Sequence, residues 1–350
     1  MTIPRYKELD ALRGFAALFV VFFHYTTHTR YSFRFLELGV TGVDLFFIIS
    51  GFVIFMSINK ISSGKEFIIN RFARLYPTYL ASVSFTTLLC VIVNHFYFTG
   101  QSISIYQYLA NMSMFQHYLR AENIDGTYWT MIIEMVFYIF ILFLFQFKII
   151  KYILPICISL LCFTILIDVW VENYFVFLYK AIRYVFPLIN HLPLFFAGIL
   201  FYKIANSNKI DYKYYVLLLF CLAVQIMLYD NGGSAQKYIN QWNYSFMLVF
   251  YFMLFILFVN NKLSFIVNRP ALFFGKISFA LYLIHQYLSI DVIIPILTKQ
   301  AGFNFWVSAL IAFIISVTLS TLITFYIEIP FGKKIKSLFL KRIIINENTN

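Results

Sequence analysis

"RGFAALFVVFFH", residues 13–24, decides the fold: ten apolar or small residues run between an arginine and a histidine. If the run crosses a membrane, both flanking groups are ones that hydrocarbon penalises. Composition settles the first half of that question. Of 350 residues, 61% are hydrophobic, 21% aromatic and 12% charged, against roughly a quarter charged in a soluble domain. Apolar runs long enough for a hydrocarbon layer of about 30 Å recur along the whole chain. No soluble globule of this length hides so much apolar surface, so the fold expected is an all-α integral membrane protein, a polytopic bundle of about ten transmembrane helices. The net charge of +12 is scattered between apolar runs and not gathered on one soluble face, which argues against nucleic acid as a partner and for membrane orientation.

Apolar windows bounded by polar or turn residues predict helices near 12–28, 38–58, 77–98, 128–147, 151–170, 187–204, 214–230, 244–260, 277–296 and 304–327. Ten spans put both termini on one side. With that side cytoplasmic, the inner segments hold 20 of the 27 Lys and Arg residues, from Arg5 and Lys7 at one end to Lys341 and Arg342 at the other. The outer segments hold seven. This excess is the positive-inside signature, so span count and direction support each other. The N-terminus has the basic-then-apolar order of a signal peptide, but "HYTTHTRYS" offers no small-x-small cleavage site, and the run is kept as the first span. All four cysteines fall inside expected spans without zinc-ligand spacing, so they read as small apolar residues, and no metal site is expected. The division expected is a transmembrane domain over 1–332 and a basic cytoplasmic tail over 333–350.

The ionisable residues inside this apolar frame are the functional candidates. Eleven positions separate Arg13 from His24, which returns them to nearly the same helix face about 16 Å apart along the axis. Arg13 reads either as an anchor that snorkels to the surface or as part of a substrate path. His24 reads either as a satisfied polar residue or as a proton-transfer group titrating near neutral pH. In "NRFARLYPTY", Arg71 and Arg74 share one face of a short helix that Pro77 separates from span three or leads into it. Their paired guanidinium forks suit phosphates, of lipid headgroups or of a ligand. "GVDLFFIISGF" places Asp44 in the outer part of span two. "WTMIIEMVFY" places Glu134 a turn and a half into span four with Tyr138 on its face, and an unpaired carboxylate at that depth must be neutral, solvated or paired. Glu328 in "YIEIP" closes span ten. His285 in "ISFALYLIHQ" is polar within a span and reads, taken alone, as structural.

Taken together and in order, these pieces resemble the acyltransferase-3 family of integral membrane O-acyltransferases. "LDALRGFAALFVVFFH", "GVDLFFIISGF", the Arg-x-x-Arg of "RFARLYP", "YWTMIIEMVFY", "GKISFALYLIHQ" and "YIEIP" carry the resemblance, from residue 8 to about 331. It implies a bundle in the bacterial cytoplasmic (inner) membrane that moves an acyl group, usually acetyl from cytoplasmic acetyl-CoA, to a hydroxyl of a carbohydrate or lipid-linked glycan. It implies no tightly bound cofactor, since acyl-CoA is a substrate. Some members carry an added extracytoplasmic hydrolase-like domain, and this chain is expected to be the stand-alone form. His24 matches the family's catalytic histidine, and an alcohol attacking a thioester requires a general base. Arg71 and Arg74 match its arginine pair, here given to CoA phosphates, with Arg13 able to hold the thioester end or a phosphate. Glu134 is expected to pair with a cation or to orient His24, with Asp44, Tyr138, His285 and Glu328 in support. The rival classes are a transporter or flippase of a glycan or lipid intermediate, which predicts Gly- or Pro-broken midplane helices and an internal repeat, and a non-catalytic receptor, which leaves the Arg13 to His24 register without a task.

Overall fold

Helices account for the whole framework of the computed structural model. Among the residues it describes, 6–27, 29–97, 102–207, 209–230 and 233–347, there is no β-strand. The cause is solvent: in hydrocarbon each backbone N–H and C=O must be paired within its own segment, and a helix does this without a neighbour. Thirteen helices matter here. They are α1 (Lys7–Thr26), α2 (Gly42–Ile58), α3 (Gly64–Tyr97), α4 (Ile105–Met112), α5 (Trp129–Gln146), α6 (Ile153–Leu166) and α7 (Val176–Val185). The rest are α8 (Leu192–Ala205), α9 (Tyr212–Met227), α10 (Gln241–Val259), α11 (Arg269–Gln286), α12 (Phe305–Leu322) and α13 (Ile329–Glu347).

Nine described helical stretches are long and apolar enough to cross a membrane, and α8 is a shorter tenth. These ten correspond in order to the ten expected spans, and three of them differ most at their ends. Span three begins earlier: α3 runs unbroken for 34 residues with Pro77 in its interior, so Arg71 and Arg74 ride on the spanning helix itself. Span nine extends over Arg269–Gln300, α11 continuing through π-helical turns at Tyr287–Ile293 and Ile296–Gln300. Span ten continues through a π-helical turn at Ile323–Glu328 into α13. The helix therefore passes position 332 without a break, where the expected tail begins. Arg5, His28, the last residue of span three and residues 348–350 lie outside the described residues.

The chain forms two compact units, Met1–Lys60 with Ile133–Gly275, and Ile61–Ile132 with Lys276–Asn350. In the first, α2 and α8 press together so closely that only glycine fits at their crossing. A Cβ on Gly51 would lie 2.0 Å from the Phe195 carbonyl oxygen, and one on Gly198 would lie 2.2 Å from that of Ile48. Small residues that let backbones meet are the usual means of helix association where hydrophobicity gives no drive. Around the crossing, Phe195 packs against Phe47 at 4.9 Å and Phe137 at 4.2 Å between ring centroids, which is where the high aromatic content goes. The second unit packs differently. The buried face of α3 carries Thr78, Ser82 and Thr86, and the π-helical turn facing it carries Thr324 and Glu328, all buried.

Candidate active site

In the first unit, α1 is continuous from Lys7 to Thr26, so the register expected for Arg13 and His24 is realised on one helix. Both side chains are half-buried. Arg13 Nη1 lies 3.7 Å from Asp10 Oδ1, one turn earlier. The end of α1 that carries His24 is held by the turn Leu38–Thr41, where a Cβ on Gly39 would lie 2.3 Å from the Phe19 carbonyl oxygen and 2.6 Å from Phe23 Cβ. Phe23 also meets Tyr238 edge to face at 4.9 Å. The position of His24 along its helix axis is thus fixed by backbone contact.

Asp44 is buried in the first turn of α2. Beside it, Thr41 Oγ1 and the Tyr251 hydroxyl share a hydrogen bond of 2.8 Å, and Gln225 Nε2 donates to the Tyr244 hydroxyl at 3.1 Å. Asp44 lies within electrostatic reach of both tyrosines. Glu134 accepts from Ser50 Oγ at 3.3 Å and from the hydroxyl of Tyr138. Tyr138, expected on the same face of α5, is therefore a direct partner. Two hydroxyls, not a cation, are the hydrogen-bond donors to Glu134 among the described residues.

In the second unit, Arg74 forms an ion pair with Glu328, and Thr78 Oγ1 donates to the other carboxylate oxygen at 3.0 Å. Arg71 stands over the Phe67 ring and Arg74 over the Phe279 ring, each at 5.7 Å. Lys336 on α13 lies within coulombic reach of both arginines, which gathers three cations at this end of the unit. Sequence reading missed Lys336 because it sat in an expected tail. His285 is buried, and its Nδ1 lies 3.0 Å from the Leu281 carbonyl oxygen and 2.9 Å from that of Tyr282. With the proton on Nδ1 it donates to its own helix, as the structural reading expects.

Asp125 is the residue that sequence reading passed over. Its carboxylate accepts from the Thr127 N–H at 2.9 Å, the Thr127 hydroxyl at 2.8 Å and the Tyr287 N–H at 3.0 Å. The last bond ties the start of the fourth span to the π-helical turn of the ninth. Burial pushes the Asp125 carboxyl up to about 6, partly offset by these donors. "IDGTYW" did hold a signal: Asp followed by Gly-Thr is the pattern of a side chain closing a turn on the N–H two residues on.

Arg13, His24, Asp44, Glu134 and Tyr138 thus belong to the first unit, and Arg71, Arg74, His285 and Glu328 to the second. In the first the structure joins Glu134 with Tyr138, and in the second Arg74 with Glu328.

Comparison with known proteins agrees with the sequence. The acyltransferase-3 family model, described as an acyltransferase domain, matches residues 6–325, and the chain belongs to that family. A protein of Acidianus two-tailed virus that bears the name acetyltransferase ORF330 is 27% identical over 134 residues, 38% of this chain and 39% of its own. Nodulation protein 10 of Rhizobium leguminosarum bv. viciae is 25% identical over 162 residues, 38% of this chain and 42% of its own. The chain spans about two-fifths of the length of these curated relatives. No solved structure matches it significantly.

Proposed function

We propose that the protein is a membrane O-acyltransferase that moves an acyl group, acetyl foremost, from acyl-CoA at the cytoplasmic face to a hydroxyl of a cell-surface polysaccharide or lipid-linked glycan. Family membership and the acetyltransferase name of the viral relative support the reaction class. The observation that carries the reading is the Arg13 to His24 register on one unbroken helix: a cation at one level and a titratable ring about 16 Å further along. The 20-to-7 split of basic residues supports a bacterial inner-membrane orientation with both termini cytoplasmic, Arg13 toward the cytoplasm and His24 toward the other face.

In this reading His24 is the catalytic base. It accepts the acceptor's hydroxyl proton as that oxygen attacks the thioester carbonyl. The tetrahedral intermediate collapses, the carbon–sulfur bond breaks, and the departing CoA thiolate takes the proton back from the imidazolium. Arg71, Arg74 and Lys336 hold CoA phosphates, since guanidinium forks bind them bidentately. The Glu134, Tyr138 and Ser50 cluster is a positioning element of the first unit.

The test uses purified protein reconstituted in liposomes, with labelled acetyl-CoA and a lipid-linked glycan extract as acceptor. His24→Ala is expected to cut transfer by at least about a hundredfold, the scale of general-base contributions, while protein level and melting temperature hold. Retained transfer by that variant removes His24 as the base.

A further inference from the structure

The buried face of α3 in the second unit carries more polar groups than packing accounts for. Ser82 Oγ and Thr324 Oγ1 are buried side-chain atoms with no hydrogen-bond partner among the described residues, and Tyr79 Oη and Gln116 Oε1 make no well-formed hydrogen bond beyond lying within reach of each other's side chains. Tyr79, Ser82, Gln116 and Thr324 are 0%, 0%, 1% and 1% exposed. Most buried polar atoms find a partner, so orphans gathered in one place ask for an explanation. These are gathered. Tyr79 and Ser82 are three apart on α3, and the Tyr79 ring lies 5.3 Å from that of Tyr128, whose carbonyl accepts from Gln116 Nε2 at 3.4 Å. The segment bearing Thr324 runs antiparallel to α3. The bond that joins Thr78 to Glu328 therefore brings Ser82, one turn beyond Thr78, to the level of Thr324, one turn before Glu328.

The lower end of this seam is the Arg74 and Glu328 pair, with Arg71 and Lys336 beside it. From Arg74 the seam climbs about 12 Å to Ser82 and about 18 Å to Thr86. A different surface of α3 carries an apolar cavity of about 340 Å³ lined by Phe72, Tyr76, Leu80 and Phe331 among others, which is where a hydrocarbon chain would lie. The polar seam suits another shape: a thin chain, anionic at the basic end, with amides spaced along it. The arm that joins the phosphates of coenzyme A to its thiol is such a chain, with two amides and a hydroxyl. Its N–H groups need acceptors such as Gln116 Oε1, and its carbonyls need donors such as the hydroxyls of Tyr79, Ser82 and Thr324.

We propose that the seam between α3 and residues 323–328 receives the pantetheine arm of the acyl-CoA donor, with Tyr79, Ser82, Gln116 and Thr324 bonding its amides and hydroxyl. The proposal rests on the acyl-CoA reading above and adds where the arm lies. The arm enters by parting the seam, and it gives Ser82 Oγ and Thr324 Oγ1 partners that the closed seam lacks.

The test compares CoA with 3′-phosphoadenosine 5′-diphosphate, which keeps all three phosphates and lacks the arm, by calorimetry on the purified full chain in nanodiscs. The parent is expected to bind CoA more tightly than the diphosphate. Ser82→Ala and Thr324→Val are each expected to weaken CoA binding about three- to tenfold, the worth of one neutral hydrogen bond, and to leave diphosphate affinity unchanged. Thr324→Ser, which keeps the hydroxyl, is expected to retain CoA affinity. Because these hydroxyls have no protein partner, Ser82→Ala and Thr324→Val should not lower the melting temperature without ligand. Unchanged CoA affinity in both variants, or equal losses for both ligands, overturns the proposal. Equal affinity of the parent for the two ligands overturns the seam alone and leaves the donor reading standing, whereas a parent that binds neither brings down both.

Discussion

Glu328→Gln separates two things the Glu328 carboxylate does: it neutralises Arg74, and it accepts from Thr78 at 3.0 Å. Gln keeps the shape and an oxygen for Thr78 but removes the charge. Breaking a buried ion pair from one side costs roughly 3 to 5 kcal/mol. The Glu328 side chain is 9% exposed but that of Arg74 is 38% exposed, so solvent screens the cation left behind and the expected cost falls to roughly 1 to 2 kcal/mol. The same change removes the negative charge paired with Arg74, which lies near Arg71 and Lys336, so binding of an anion at this end should tighten by about three- to tenfold, on the order of 1 kcal/mol. Stability is measured by denaturant unfolding in mixed micelles, in a double-mutant cycle of Glu328→Gln with Arg74→Gln. Titration with 3′-phosphoadenosine 5′-diphosphate gives the anion affinity. A pair that acts as described gives a coupling energy of roughly 1 to 2 kcal/mol. Additivity within about 0.3 kcal/mol would refute the ion pair as a stabilising contact, and weaker anion binding by Glu328→Gln would mean that the carboxylate orders the arginines for the ligand and does not compete with it.

Gly39→Ala puts a Cβ 2.3 Å from the Phe19 carbonyl oxygen, so the end of α1 must shift; a loss of roughly 1 to 3 kcal/mol in stability and about ten- to a hundredfold in kcat is expected with the KM for acetyl-CoA unchanged, and steady-state kinetics that move KM alone would contradict a positioning role. Asp125 has a folded-state carboxyl raised to about 6 from an unfolded value of 3.8, so between these values the folded form holds the proton more tightly. Stability should then decline as pH rises from about 4 to about 6, by at most about 3 kcal/mol, and stay level above. Asp125→Asn abolishes that slope, and a parent curve that rises with pH over the same window would reverse the assignment. For orientation, a cysteine replacing Lys237 in a chain cleared of native cysteines should react with an impermeant thiol reagent on intact cells, and one replacing Lys65 only after lysis; the opposite pattern inverts the topology.

The fold was legible because its cause is local. Hydropathy along the chain is enough to count ten spans, and the 3.6-residue period is enough to put Tyr138 on the face of Glu134 or His24 on the stripe of Arg13. Helix ends were less legible. Hydropathy stops where the apolar run stops, but a helix stops where its backbone loses partners, and α3 begins well before Pro77 because the polar turns that carry Arg71 and Arg74 continue the same backbone ladder. Partners were least legible. A polar side chain inside an apolar run must be satisfied, and sequence identifies the need without naming what meets it. His285 meets it with carbonyls three and four residues earlier in its own helix. Thr78 meets it with Glu328, 250 positions away, and the Tyr287 N–H with Asp125, 162 positions away. The distinction is functional as well as topological. A group paired within its own helix depends least on how helices pack, and the Nδ1 side of His285 is of that kind. Groups whose partners lie far along the chain depend on how helices pack, and a ligand that parts those helices can exchange its own atoms for theirs. Buried atoms with no partner at all, Ser82 Oγ and Thr324 Oγ1 among them, stand at the end of that scale, and they mark where the second unit has the most to gain from binding.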